Sequence, residues 1–124
     1  MDVLGNAVAG ARPGGTVLDL QVIRPHPVVE SDGEALSVVD GEPLFRRADA
    51  AVAAVDALVA AGRLSEEAVD DHDVLSHYAS GAELVDDLEP KERSLAPDDA
   101  RRLRAVARPC AIRERCRLRR LRVC

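Results

Sequence analysis

The chain has 124 residues, enough for one domain and no more by the usual size of an independent unit. Its formal charge is −5, its pI is about 5.2, and Phe45 and Tyr78 are its only aromatics, so a generally basic nucleic-acid binder with stacking side chains is disfavoured. A chain of this length buries roughly two-thirds of its unfolded surface, but Ala, Val and Leu must fill the core.

Val3, Leu4, Ala7, Val8 and Ala11 recur at helical spacing, which predicts a short amphipathic helix over residues 2–11. It begins almost at Met1, so a domain lacking earlier elements is the expectation. Arg12-Pro13-Gly14-Gly15 ends that helix and turns the chain, because Pro13 restricts Arg12 and the glycines tolerate positive φ. Thr16 to Ile23 follows as a strand. Its apolar run (Val17, Leu18, Leu20, Val22, Ile23) reads as central and covered on both faces, with Asp19 and Gln21 interrupting one face.

Residues 24–45 read as an extended loop and small hairpin. Pro25 and Pro27 keep the first part out of a central ladder. Ser31-Asp32-Gly33-Glu34 is a turn, and a poorly determined strand spans Ala35 to Val39. The strongest helix runs from about Arg46 to Ala61, with Gly62 placed to end it. Glu66 to Tyr78 is ambiguous, with a strand expected at Asp73 to Tyr78. Ser80 and Glu83 make a capping box for a short helix carrying Leu84, Val85 and Leu88. Pro97, Asp98 and Asp99 open a further helix that ends at Arg108-Pro109. The last segment, Ala111 to Val123, alternates. Ile112, Glu114, Cys116, Leu118 and Arg120 face one way, and Arg113, Arg115, Arg117, Arg119 and Leu121 the other.

The expected fold is therefore α/β. A small sheet of about three main strands, with an antiparallel edge pair, packs against three to four helices. Residues 1–124 form one domain divided at 1–23, 24–45 and 46–124. The order of elements and the Arg12-Pro13-Gly14-Gly15 turn resemble the C-terminal half of class I S-adenosylmethionine-dependent methyltransferases. In that family a helix and an Arg/Lys-Pro-Gly-Gly turn lead into the fifth strand, matched here by Thr16 to Ile23. A long helix follows, matched by Arg46 to Ala61. The sixth and seventh strands form the antiparallel edge, matched by Asp73 to Tyr78 and Ala111 to Val123.

The resemblance covers nearly the whole chain, but the family's cofactor apparatus has no counterpart. No GxGxG occurs and no strand precedes the Pro-Gly-Gly unit. No catalytic residue, cofactor-binding residue or cofactor is therefore assigned to the isolated chain, and it is not expected to be a competent methyltransferase alone. A non-catalytic binding or assembly module is the leading expectation. A methyltransferase subunit completed by another chain is the alternative.

His26, His72 and His77 are the metal candidates, but His72 and His77 would face opposite sides of a strand and stand about 140° apart on a helix, so no metal site is assigned. Glu30, Asp32, Glu34, Asp40 and Glu42 could supply a general base in a loop, but turn acids are common for conformational reasons, and no Ser-His-Asp or Cys-His arrangement is readable. Cys110, Cys116 and Cys124 match no zinc or redox spacing and read as free thiols in a reducing compartment. Neither a leader nor a run approaching the ~20 apolar residues of a membrane span is visible, so a cytoplasmic protein without membrane contact is expected.

The most informative residues are Arg113, Arg115, Arg117 and Arg119. Their face could hold phosphate, nucleic acid, a partner, or the acidic segment between Glu66 and Glu92. Pairing with acids is favoured over nucleic acid, since no aromatic lies near for stacking. An open apolar strand at Val17 to Ile23 further points to a homodimer or a complementing chain.

Overall fold

The computed structural model describes residues 12–88 and 94–124. Over them the order is β1 (Thr16–Ser31), β2 (Glu34–Val38), α1 (Glu42–Ala60), β3 (Leu64–Tyr78), α2 (Gly81–Leu88), α3 (Pro97–Arg104) and β4 (Cys110–Val123). The helix expected over residues 2–11 lies outside the described residues. The strands form one open sheet in the order β2-β1-β4-β3, and every neighbouring pair is antiparallel.

Two expectations about this sheet are corrected. It has four strands, and its interior strand along the whole length is β4, not Thr16 to Ile23. β4 pairs from Thr16↔Arg122 to Glu30↔Ala111 on one side and from Leu64↔Val123 to Tyr78↔Cys110 on the other. β1 has a second neighbour only at Val28 to Ser31, where β2 joins it. The apolar run misled because one face of it is exposed rather than buried. Leu18 and Leu20 are 65% and 56% exposed, while Val17 packs beneath α1.

Local chemistry explains most of the joins. Gly14 stands at φ +82, and a Cβ on Gly15 would lie 2.9 Å from the Arg12 carbonyl oxygen, so the two glycines serve the turn for different reasons. Asp32 (φ 50) and Gly33 (φ 77) both adopt the left-handed region that a two-residue hairpin turn demands. Pro25 and Pro27 fall in the irregular stretch between Ile23 and Val28, yet β1 resumes beyond it, so residues 24–31 belong to the sheet rather than to a loop. α1 starts at Glu42, four residues before the expected point, with Pro43 in its first turn. Asp40 Oδ1 accepts the Glu42 N–H at 3.0 Å, satisfying one of the free donors at that end. At the other end Gly62 sits at φ +73, its N–H donates to Val59 O, and the Arg63 N–H donates to Leu58 O, a Schellman closure.

β3 extends back to Leu64, and α3 stops at Arg104, four residues before Arg108. Ser80 Oγ accepts the Glu83 N–H at 3.2 Å, while Glu83 Oε2 accepts the Ala79 N–H at 2.9 Å, so the expected cap forms with its return bond one residue further back.

The helices cover the sheet diagonally. α1 packs on the face of Val17 and Leu121, where Val55, Leu64, Leu121 and Val123 make one buried cluster. α2 and α3 pack on the opposite face at the opposite end, around Val29, Leu84, Leu103, Cys110 and Ile112. Two sheet quadrants remain without a described helix. One presents Leu18, Leu20 and Leu118, and the other presents Arg113, Arg115 and Arg117 of β4.

Candidate functional site

Alternation along β4 places Arg113, Arg115, Arg117 and Arg119 on one face, as the sequence implies. Because β4 is the interior strand, each arginine has an acidic strand within reach. Arg113 Nη2 lies 2.9 Å from Glu30 Oε1 of β1, and its Nη1 lies 3.1 Å from Asp73 Oδ2 of β3. Arg115 reaches the other Asp73 oxygen at 3.1 Å. Arg117 grips Asp71 with Nε at 2.8 Å and Nη2 at 3.0 Å, the two-pronged geometry that suits a guanidinium and a carboxylate. Arg119 is only 8% exposed and is held between Glu66 at 2.6 Å and Asp56 of α1 at 3.0 Å.

The electrostatics follow from these bonds. The hydrogen bond to Arg113 holds Glu30 below its ordinary value, and those to Arg115 and Arg113 do the same for Asp73, as Arg117 does for Asp71. Arg113 and Arg117 are raised in turn by the same bonds. Burial pulls Arg119 down, but its bonds to Glu66 and Asp56 outweigh burial and leave it raised. Four arginines thus meet five carboxylates, so the face carries no surplus positive charge. A phosphate entering the shallow 300 Å³ cleft between Asp56, Glu66, Arg117 and Arg119 would have to displace a carboxylate first.

Elsewhere the candidate residues stay apart. His72 sits opposite Cys116 and His77 opposite Ala111, on different faces, and His26 lies beyond both in β1. Among the described residues no three of His, Cys, Asp and Glu gather as metal ligands do. His72 Nδ1 is 2.9 Å from Asp70 Oδ2 but out of line for a hydrogen bond. Of the turn acids, Glu30 is bound to Arg113, Glu42 to Arg24 and Asp40 to the start of α1. Cys110 and Cys116 are buried and Cys124 is exposed, all as free thiols, and burial pushes the Cys110 thiol up.

One cluster is absent from the sequence reading. Arg24 lies over the Phe45 ring at 5.0 Å, and the His26 ring meets the same phenyl at 5.3 Å. Arg24 also bonds Asp49 and Glu42, and His26 Nδ1 accepts the Gly41 N–H at 3.1 Å. An open cleft of about 450 Å³ adjoins it, lined by His26, Val39, Asp40, Ser94, Leu95 and Asp99. In the sequence the lone Phe45 and the separate Arg24-Pro25-His26-Pro27 run gave no local sign that they would meet. The cluster anchors α1 to β1.

No family model, curated protein or solved structure matches the chain. Among the described residues no helix is long and apolar enough to cross a membrane.

Proposed function

We propose that the chain is a non-catalytic assembly module, a methyltransferase-like half-domain whose sheet is continued by another chain. The lineage rests on the order of elements around Arg12-Pro13-Gly14-Gly15, and the non-catalytic reading on the lack of a glycine-rich cofactor loop in the sequence. The observation that carries the module reading is the open side of β1. From Thr16 to Ile23 the strand has a described strand neighbour only on the β4 side, and Leu18 and Leu20 stand exposed beside that edge. The arginine face supports the same reading, since its charge is consumed within the chain and it offers nucleic acid neither free cations nor stacking rings.

Calorimetric titration with S-adenosylmethionine tests the proposal. The isolated chain is expected to give no saturable heat. Saturable micromolar binding would show a cofactor site here and would overturn the non-catalytic reading.

A further inference from the structure

We infer that the chain continuing the sheet is a second copy of this one, joined antiparallel along β1 with Leu20 on the two-fold axis. The inference rests on the module reading above and names its partner.

The two long outer edges of the sheet differ in chemistry. β3 carries Glu66, Glu67, Asp70, Asp71 and Asp73, so pairing β3 with itself would set acid against acid. β1 between Val17 and Ile23 carries a single charge, Asp19, and neither lysine nor proline, the usual guards of an exposed edge. β2 shields β1 only from Val28 onward. Among the described residues, the long edge open to self-pairing is thus this seven-residue stretch.

Symmetry then selects the register. A two-fold axis perpendicular to the sheet keeps each side chain on its own face, so the axis must pass through a residue position. With Leu20 on the axis, Leu18 meets the partner's Val22, Val17 meets the partner's Ile23, and Asp19 meets the partner's Gln21. Apolar residues oppose apolar ones throughout. One position earlier, Asp19 would face itself. One position later, Asp19 would face Ile23 and Pro25 would enter the ladder, where it has no N–H to give.

Asp19 is bound within its own chain. Its Oδ1 accepts from the Gln21 amide at 2.8 Å, but its Oδ2 is buried without a hydrogen-bond partner. A buried carboxylate oxygen left in that state is costly. In the chosen register the partner's Gln21 stands opposite Asp19, a polar pair set between apolar ones. The same arrangement sets Leu20 beside its copy, and each is already paired across to Leu118. An apolar row then runs from Leu118 of one copy through both Leu20 side chains to the partner's Leu118, and ends at Asp70 of β3 in each copy.

The test uses the full chain with Cys124→Ser, which removes the exposed thiol. Sedimentation under reductant at micromolar concentration is expected to give twice the 13.3 kDa chain mass, and Leu20→Lys to raise the dissociation constant at least about tenfold. On oxidation Leu20→Cys is expected to cross-link, whereas Leu18→Cys, far from its own copy in this register, is not. Circular dichroism checks that each variant is folded. A monomer, or a dimer that cross-links through position 18 and not 20, overturns the inference. The module reading is judged separately by the cofactor titration, so the two fail by different measurements.

Discussion

Arg119 and Glu66 are joined through one oxygen: Arg119 Nε lies 2.7 Å and Nη2 2.6 Å from Glu66 Oε2. The guanidinium is nearly buried beneath α1, where Asp56 holds it from above. Removing it leaves two carboxylates without their counter-charge. Arg119→Ala is expected to lower the urea unfolding free energy by about 2–3 kcal/mol. Arg119→Met, which keeps the packing of the stem, should cost less than the alanine variant despite losing the same charge. Equal losses in the two variants would mean that charge alone matters at this position.

Acid should loosen the sheet in a defined direction. Glu30, Asp71 and Asp73 titrate lower in the folded chain than in the unfolded one. Between the two values the unfolded chain takes up protons that the folded chain refuses. Their contribution is therefore complete above the ordinary carboxylate range and is lost progressively as pH falls below about 5. The thermal midpoint should drop over that range, and Asp73→Asn should make the drop shallower. High salt should also flatten it, since these pairs are partly exposed. A midpoint that rises on acidification would contradict the arginine–acid ladder.

Gly81 opens α2 against the end of α3, and a Cβ there would lie 1.9 Å from the Leu103 carbonyl oxygen. Backbone cannot yield as a side-chain tip can. Gly81→Ala should therefore destabilise by about 1–3 kcal/mol, read as a lower urea midpoint. Gly33→Ala has open space around it and only its φ of +77 to strain, so its loss should be smaller, about 1 kcal/mol. The reverse order of these two losses would sink the packing argument.

His26 Nδ1 accepts the Gly41 N–H at the start of α1, which requires the neutral ring to carry its proton on Nε2. Nitrogen NMR of the histidines at pH 8 should show that tautomer for His26. His26→Ala removes both the acceptor and the contact with Phe45, and should destabilise the chain by about 1–2 kcal/mol. A dominant Nδ1–H tautomer would count against this anchoring of α1.

Short-range features were largely legible in the sequence. The glycines at 14, 33 and 62, the Ser80–Glu83 cap and the two faces of β4 all follow from local chemistry, and all appear in the fold. The start of α1 was written in Pro43 and Asp40 but was obscured by Leu44 and Phe45, which read as a lead-in. The identity of the interior strand was not legible. Period-two alternation looks the same at an edge and in the middle of a sheet, and a one-sided exposed run such as Leu18 and Leu20 mimics a doubly covered strand. The candidate site was half legible. Four arginines on one face were plain, but Glu30 and Asp56 as partners depend on pairings far apart in the chain. Asp71 and Asp73, two residues apart like the arginines opposite them, were the one local hint of the ladder.

The place of β4 in the sheet also shapes how the chain reaches its fold. It is synthesised after the three other strands, yet β1 and β3 touch only through it. Until it has emerged, Val17 to Ile23 and the acids of β3 have no described strand neighbour. Nearly every sheet contact spans a long stretch of sequence, as Thr16 with Arg122 illustrates. A chain wired this way closes its sheet late and slowly during synthesis. A nascent copy held short of Cys110 would leave one apolar strand and one acidic strand unsatisfied at once, making the unfinished chain a natural client for chaperones.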